Sequence, residues 1–257
     1  MIRLENVTFG YRDSAVLRNV SFQVERGKTL VIFGISGSGK STILKLLAGL
    51  VRPQTGRIIV NETDMTGLRE SEWQELRRQI GFVFQGGALF DSMTVGENVG
   101  FYLLEHTDQS MEEIEIKVRE TLQFMNLSED LIDITPDELS GGMQRRVAIG
   151  RAVAAIDPLI MLYDEPTTGL DPISTKAITE MIVKLRDVKG VTSIVVTHQI
   201  ADAFEVSDHF IVLQQGVVAF DGTAEELVRS RQPQVRSFLT PFIHSIERMP
   251  AMHHGES

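Results

Sequence analysis

Gly34-Ile35-Ser36-Gly37-Ser38-Gly39-Lys40-Ser41 decides how the rest of this sequence is read. It follows the apolar run Thr29-Leu30-Val31-Ile32-Phe33 and leads into Thr42-Ile43-Leu44-Lys45-Leu46-Leu47, which has a helical pattern. The three pieces make a G-x-x-x-x-G-K-S loop between a strand and a helix, the setting in which this motif cradles phosphates. Gly34, Gly37 and Gly39 let consecutive backbone N–H groups, with those of Ser36, Ser38 and Thr42, curl around an anion, and the helix N-terminus adds about half a positive charge. Lys40 is placed to neutralise β and γ oxygens and Ser41 to ligate Mg²⁺. A glycine-rich turn without function is the alternative, and the strand before and helix after argue against it.

Outward from this loop, Leu30–Phe33, Gly81–Phe84, Leu159–Tyr163, Ser193–Val196 and Phe210–Leu213 are near-continuous apolar runs. Such runs suit strands buried on both faces of a parallel sheet with helices between them. Ile2–Thr8, Val20/Phe22/Val24 and Arg57–Val60 alternate instead, which predicts a small antiparallel sheet near the N-terminus. Helices are expected at Ser41–Leu50, Met111–Asn126, Gly142–Ala155 and Ser174–Val188, and Thr223-Ala224-Glu225-Glu226 reads as a capping box opening another. After Gln232-Pro233 the apolar positions Val235, Phe238, Leu239, Phe242, Ile243 and Ile246 keep helical spacing, so residues 231–257 are expected to be a C-terminal extension, a helix with a flexible tail. No internal repeat is evident. The fold class is α/β.

The 257 residues carry 25 Lys+Arg against 35 Asp+Glu, a net charge of −10, and no cysteine. A net negative chain is not expected to bind nucleic acid, which requires a basic patch. Most of the charge is local: Asp108–Glu138 holds ten acidic and two basic residues and is expected to coat an exposed helical face. Without cysteine there is no disulfide, thiolate nucleophile or cysteine zinc site. The longest stretches free of charge are shorter than the about 18 to 20 apolar residues that a membrane helix requires. Met1-Ile2-Arg3-Leu4-Glu5 does not resemble a secretory signal, so a cytoplasmic location is expected.

Two further segments carry chemistry. The run Leu159–Tyr163 ends in Asp164-Glu165-Pro166. A carboxylate at the C-terminal edge of a strand beside a phosphate loop is where Mg²⁺ is held, which assigns Asp164 to the metal and Glu165 to the attacking water. Leu139-Ser140-Gly141-Gly142-Met143-Gln144-Arg145-Arg146 opens an Ala/Val-rich helix. Ser140 can cap it while Gly141 and Gly142 expose helix N–H groups, a second anion site.

These elements, with Gln85 after Phe82-Val83-Phe84, Thr168-Gly169-Leu170-Asp171 and His198 after Ile194–Thr197, occur in the order of an ATP-binding-cassette (ABC) ATPase, which residues 1 to about 230 resemble. The resemblance implies a RecA-like core with a mainly parallel sheet, an N-terminal antiparallel subdomain and a helical subdomain inserted at about 88–155. It implies that Tyr11 stacks on adenine, that Gln85 links Mg²⁺ and water to a membrane partner, and that His198 contacts the γ-phosphate. It also implies that Ser140, Gly141 and Gly142 cap ATP bound to an opposite subunit, with Asp171 at the shared interface. One phosphate loop and one signature per chain then imply a head-to-tail dimer enclosing two ATP molecules.

The family's signature usually has Gln where this chain has Met143, and a thioether cannot replace the amide's hydrogen bonds. Leu-Ser-Gly-Gly-Met followed by Arg-Arg resembles the ATPases of MCE-type phospholipid transporters, the Mla group. Phe84–Val95, Leu104-Glu105-His106-Thr107 and Pro233–Leu239 are similar to the same group. This second resemblance implies an ATPase bound to a membrane permease on another chain, at the cytoplasmic face of the inner membrane, with an MCE-type substrate-binding protein in the complex. Ala88, Leu89, Phe90 and Met93 suit a groove for a helix of the permease, or else pack beneath the helical subdomain. Transport of another cargo, such as amino acids, lipoproteins or metals, needs the same hydrolytic motifs. A soluble ABC ATPase of translation or DNA repair usually has two cassettes or a long insertion, and neither is present.

Overall fold

The computed structural model describes residues 1–12, 14–207 and 209–240. In chain order these form β1 (Ile2–Tyr11), β2 (Ser14–Val24), β3 (Thr29–Phe33), α1 (Lys40–Leu47), β4 (Thr55–Val60), β5 (Thr63–Asp64), α2 (Glu70–Arg77), β6 (Ile80–Val83), α3 (Val95–His106) and α4 (Met111–Phe124). After two short 3₁₀ turns come α5 (Gly141–Ile156), β7 (Ile160–Asp164), α6 (Pro172–Lys189), β8 (Thr192–Thr197), α7 (Ile200–Val206), β9 (His209–Gln214), β10 (Val217–Thr223), α8 (Ala224–Arg229) and α9 (Pro233–Leu239). The expected C-terminal helix is present as α9, and its further positions Phe242, Ile243 and Ile246 lie outside the described residues.

The apolar runs read from the sequence become one six-stranded sheet in the order β10-β9-β3-β8-β7-β6. Its strands are parallel except β10, which pairs antiparallel with β9. Successive side chains of a strand point to opposite faces, and each face here has its own core. Val31 and Phe33 of β3, Val195 of β8, and Met161 and Tyr163 of β7 join the side chains of α3 to α7. Leu30, Ile32, Ile194, Val196 and Leu162 join α1 and the N-terminal sheet on the other face. Burial on both faces explains why these strands carry no polar alternation.

The second sheet has the order β2-β1-β4-β5 and is antiparallel throughout. Its alternating strands bury Ile2, Leu4, Val7 and Phe9 and expose the residues between them in part. Arg18 N–H donates to Gly216 O at 2.7 Å, tying β2 to the β9–β10 hairpin. Gln215 (φ 48°) and Gly216 (φ 79°) turn that hairpin, and a Cβ at Gly216 would strike the Val16 carbonyl.

Helices α3 to α5 form a layer over the first core. The acidic residues between Asp108 and Glu138 lie on its solvent side, all exposed except the half-buried Glu129, as the charge pattern predicts. Ser110 and Glu113 cap α4 reciprocally, and Ile114, Val118 and Leu122 at helical spacing are its buried stripe. Among the described residues no helix is long and apolar enough to cross a membrane.

Candidate nucleotide site

The C-terminal end of β3 delivers the chain into the phosphate loop. Gly37 has φ 79° and Gly39 has φ 106°, conformations that side chains rarely adopt. Gly39 also serves as N-cap of α1, which has no side-chain cap and no acid in its first turn. The first N–H groups of α1 are therefore left to an anion, with the helix dipole behind them. Ser38 Oγ is buried without a hydrogen-bond partner in the same loop. Orphaned buried hydroxyls are uncommon, and phosphate oxygens are acceptors suited to this one.

Around the loop lies a cavity of about 650 Å³, within the range of small-molecule sites. Ser36 to Thr42 form one wall, and Gln85, Glu165 and His198 come from three other segments. Asp164 stands behind Ser41, whose hydroxyl donates to Asp164 Oδ1 at 2.9 Å. Lys40 Nζ donates to Gly34 O at 2.7 Å and lies 3.6 Å from Glu165 Oε1.

Glu165 is the most constrained carboxylate of the set. It has φ 49°, and its N–H donates to Val196 O of β8 at 2.9 Å. The Thr168 hydroxyl donates to Glu165 Oε2 at 2.9 Å, and His198 Nδ1 lies 2.9 Å from that oxygen. Burial pushes this carboxyl up, but the hydrogen bonds from His198 and Thr168 and the charges of His198 and Lys40 outweigh it, so it is held below its ordinary value. Asp164 goes the other way: burial raises it, the Ser41 hydrogen bond opposes the rise and the Glu165 charge adds to it. The neighbouring acids are thereby shifted in opposite directions, Glu165 down and Asp164 up.

Other expected site residues stand apart from this cavity. Tyr11, half exposed, packs edge-on against Phe9 at 4.9 Å, while Val16 of β2 lines the cavity instead. Ser140 caps α5 by accepting from Met143 N–H at 3.3 Å. Gly141 is exposed, and a Cβ at Gly142 would collide with the Ser174 hydroxyl. Asp171 caps α6, its Oδ1 accepting from Ile173 and Ser174 N–H at 3.0 Å each. Met143 is half-buried against the first core, and Gln144 beside it donates to Pro136 O at 2.6 Å. Of the proposed groove, Leu89 packs on the core whereas Ala88 and Phe90 are exposed.

Besides Val16, three contributors were not identified from sequence. Thr168 orients Glu165, a role its place three residues on in a turn could have suggested. Ser237 and Phe238 of α9 line the cavity, Phe238 packing 5.5 Å from Phe33, and no local signal announces a contact over that separation.

Comparison with known proteins gives the family. Residues 17–168 match the family model described as ABC transporter. The chain is 38% identical over 240 residues to the intermembrane phospholipid transport system ATP-binding protein MlaF of Haemophilus influenzae, covering 93% of this chain and 90% of that one. It is 37% identical over 238 residues to a probable ribonucleotide transport ATP-binding protein, mkl, of Mycobacterium leprae, covering 93% of this chain and 68% of that one. Among solved structures it resembles the ATP-binding cassette MJ0796, in a dimeric post-hydrolysis state bound to ADP and Pi. The TM-score is 0.79 at 35% identity, covering 87% of this chain and 98% of that one. Fold, site and motif order agree: the chain belongs to the ABC transporter family and is one of its ATP-binding, ATP-hydrolysing cassettes.

Proposed function

We propose that this chain is the ATPase of a phospholipid transporter, working as two copies attached to a membrane permease on another polypeptide at the inner face of the cell membrane. The observation that carries the enzymatic part is the convergence of Lys40, Ser41, Glu165 and His198, with Asp164 behind, on one cavity. The backbone from Gly37 to Thr42 receives the phosphates, with Lys40 released from the Gly34 carbonyl to their oxygens. Ser41 Oγ, Asp164 Oδ1 and the Gln85 amide oxygen are hard oxygen donors of the kind that hold Mg²⁺. When bound, that ion neutralises charge on the β and γ oxygens. Glu165, ionised and held by donors from Thr168 and His198, accepts a hydrogen bond from water and orients it for attack on the γ-phosphorus.

His198 has a stricter chemistry. Facing a carboxylate, Nδ1 must carry the proton, so Nε2 donates to the γ-phosphate only in the doubly protonated ring. Gly141 and Gly142 stand away from their own chain's cavity with the α5 N-terminus behind them. A head-to-tail second copy would bring them over the γ-phosphate, which is the support for a composite site with Asp171 at the joint. Tyr11 remains the proposed adenine partner, at the β1 end next to the Val16 wall.

The phospholipid reading is supported by the likeness to MlaF over nearly the whole chain and by the Met143-containing signature. Purifying the complex from membranes in mild detergent, then identifying co-purifying subunits and lipids by mass spectrometry, tests it. A permease with bound phospholipid, and turnover stimulated by reconstitution into phospholipid, is the expected result. Stimulation by a ribonucleotide or another solute, with no lipid retained, would overturn the cargo while leaving the ATPase intact.

A further inference from the structure

Gln85 sits on a turn closed by one backbone hydrogen bond, Gly87 N–H donating to Phe84 O at 2.9 Å. The three residues after it are all left-handed: Gly86 (φ 85°), Gly87 (φ 84°) and Ala88 (φ 48°). A residue bearing a Cβ adopts that conformation only when its surroundings impose it. Here they come from α5. Arg145, only 6% exposed, donates from Nη1 to Phe84 O at 3.0 Å. Arg151 donates from Nη2 to Gly87 O at 3.1 Å and lies 5.3 Å from the centre of the Phe90 ring. Between the two arginines α5 presses on the turn itself, since a Cβ at Gly87 would lie 3.3 Å from Ala148 Cβ.

Gln85 is exposed at the cavity, between two carbonyls that α5 grips. The grip is made by guanidinium groups to neutral carbonyls, in places where burial pushes both arginines down from their ordinary basicity. Side chains that served only to fill space would not need a charge taken out of water. The same helix begins at the Ser140-Gly141-Gly142 turn.

We infer that Arg145 and Arg151 are positioning residues for hydrolysis: by holding the Phe84 and Gly87 carbonyls they set Gln85 at the cavity and make its turn move with the helix that carries Ser140. The inference rests on the reading of Gln85 as a participant at the metal and water. A displacement of α5 is then delivered to Gln85 and to the exposed Phe90 together, without passing through the phosphate loop.

The test is a double-mutant cycle on the full chain, assembled with its native partners, reading ATP affinity and kcat. Gln85→Ala alone must lower kcat; unchanged turnover there sinks the Gln85 reading, not the arginine grip itself. Arg145→Met is expected to lower kcat by about tenfold or more while ATP affinity stays within about twofold. In the Gln85→Ala background the same substitution is expected to cost less than about threefold, because both act on one element. Amide exchange should rise across residues 84–90 and not in α1. Losses that multiply in the double variant, or exchange unchanged at 84–90, overturn the inference. Should Arg145→Met fail to fold, Arg145→Lys and Arg151→Lys carry the same cycle with the same criteria.

Discussion

His198 Nδ1 lies 2.9 Å from Oε2 of Glu165, the same oxygen that receives the Thr168 hydroxyl at 2.9 Å. One carboxylate oxygen is thus committed to the side chains of two residues, with His198 N–H also donating to it at 3.4 Å, while Oε1 faces Lys40 at 3.6 Å. The carboxylate is fixed in direction before any nucleotide chemistry takes place, which is the property a water-orienting group needs.

Thr168→Val removes one orienting donor and keeps the side-chain shape. Turnover is expected to fall by about three- to tenfold with KM for ATP nearly unchanged, since the loss is confined to the transition state. Glu165 is held below its ordinary value although burial raises it, so its ionised form is present above its folded pKa and is lost as pH falls through it. Removing the Thr168 donor raises that pKa. The acid limb of a kcat–pH profile should therefore move to higher pH in the variant.

Lys40→Ala removes the one lysine that lines the cavity among the described residues. Hydrogen bonds to charged groups contribute about 1.5–3 kcal/mol each, so ATP affinity should weaken by about 10- to 150-fold. Equilibrium titration with a fluorescent ATP analogue measures this directly. Ser41→Ala should behave differently, weakening the Mg²⁺ dependence of binding more than the binding of nucleotide alone.

How much of this was readable before the fold was known depends on how local each signal is. The phosphate loop, Asp164-Glu165 and Ser140-Gly141-Gly142 demand particular residues at fixed spacing, so the sequence displays them whole. Helix α3 was missed because Val95, Gly96, Val99 and Gly100 are poor helix formers. Its one local sign is the capping pair Thr94 and Glu97, whose reciprocal hydrogen bonds are 3.2 and 2.7 Å. Packing selects the glycine: a Cβ at Gly100 would lie 3.1 Å from Ile114 and 3.3 Å from Val118 on α4. Strand β10 was hidden for want of a stronger turn signal than Gln215-Gly216. The contact from Arg145 to Phe84 spans 61 residues, and nothing in the sequence around either end reports it.

Asn98 is fully buried and ties down the loop that precedes α3. Its Nδ2 donates to the carbonyls of Phe90, Met93 and Thr94 at 3.0–3.1 Å, and its Oδ1 accepts from Phe90 N–H at 2.9 Å. Asn98→Leu keeps the volume and leaves Phe90 N–H and the Met93 carbonyl unpaired, whereas the Phe90 and Thr94 carbonyls keep the backbone N–H groups of Met93 and residue 98. Each such group costs about 1–3 kcal/mol, so a clear drop in thermal midpoint is expected, together with faster amide exchange at Phe90.

Gly142→Ala places a methyl group against the Ser174 hydroxyl at the start of α5. ATP binding to one chain should survive, because Gly142 is outside that chain's own cavity. ATP-dependent association should not. Sedimentation velocity of Glu165→Gln with and without Gly142→Ala, at saturating ATP, is expected to show a dimer only in the single variant.

The most direct measurement is phosphate release at saturating ATP and Mg²⁺ by the wild-type chain and by Glu165→Gln, alongside their ATP affinities. Loss of the water-orienting carboxylate should reduce turnover by about 10²- to 10⁴-fold while affinity is retained. Turnover equal to that of the wild type would contradict the assignment of Glu165, and with it the reaction geometry drawn from this cavity.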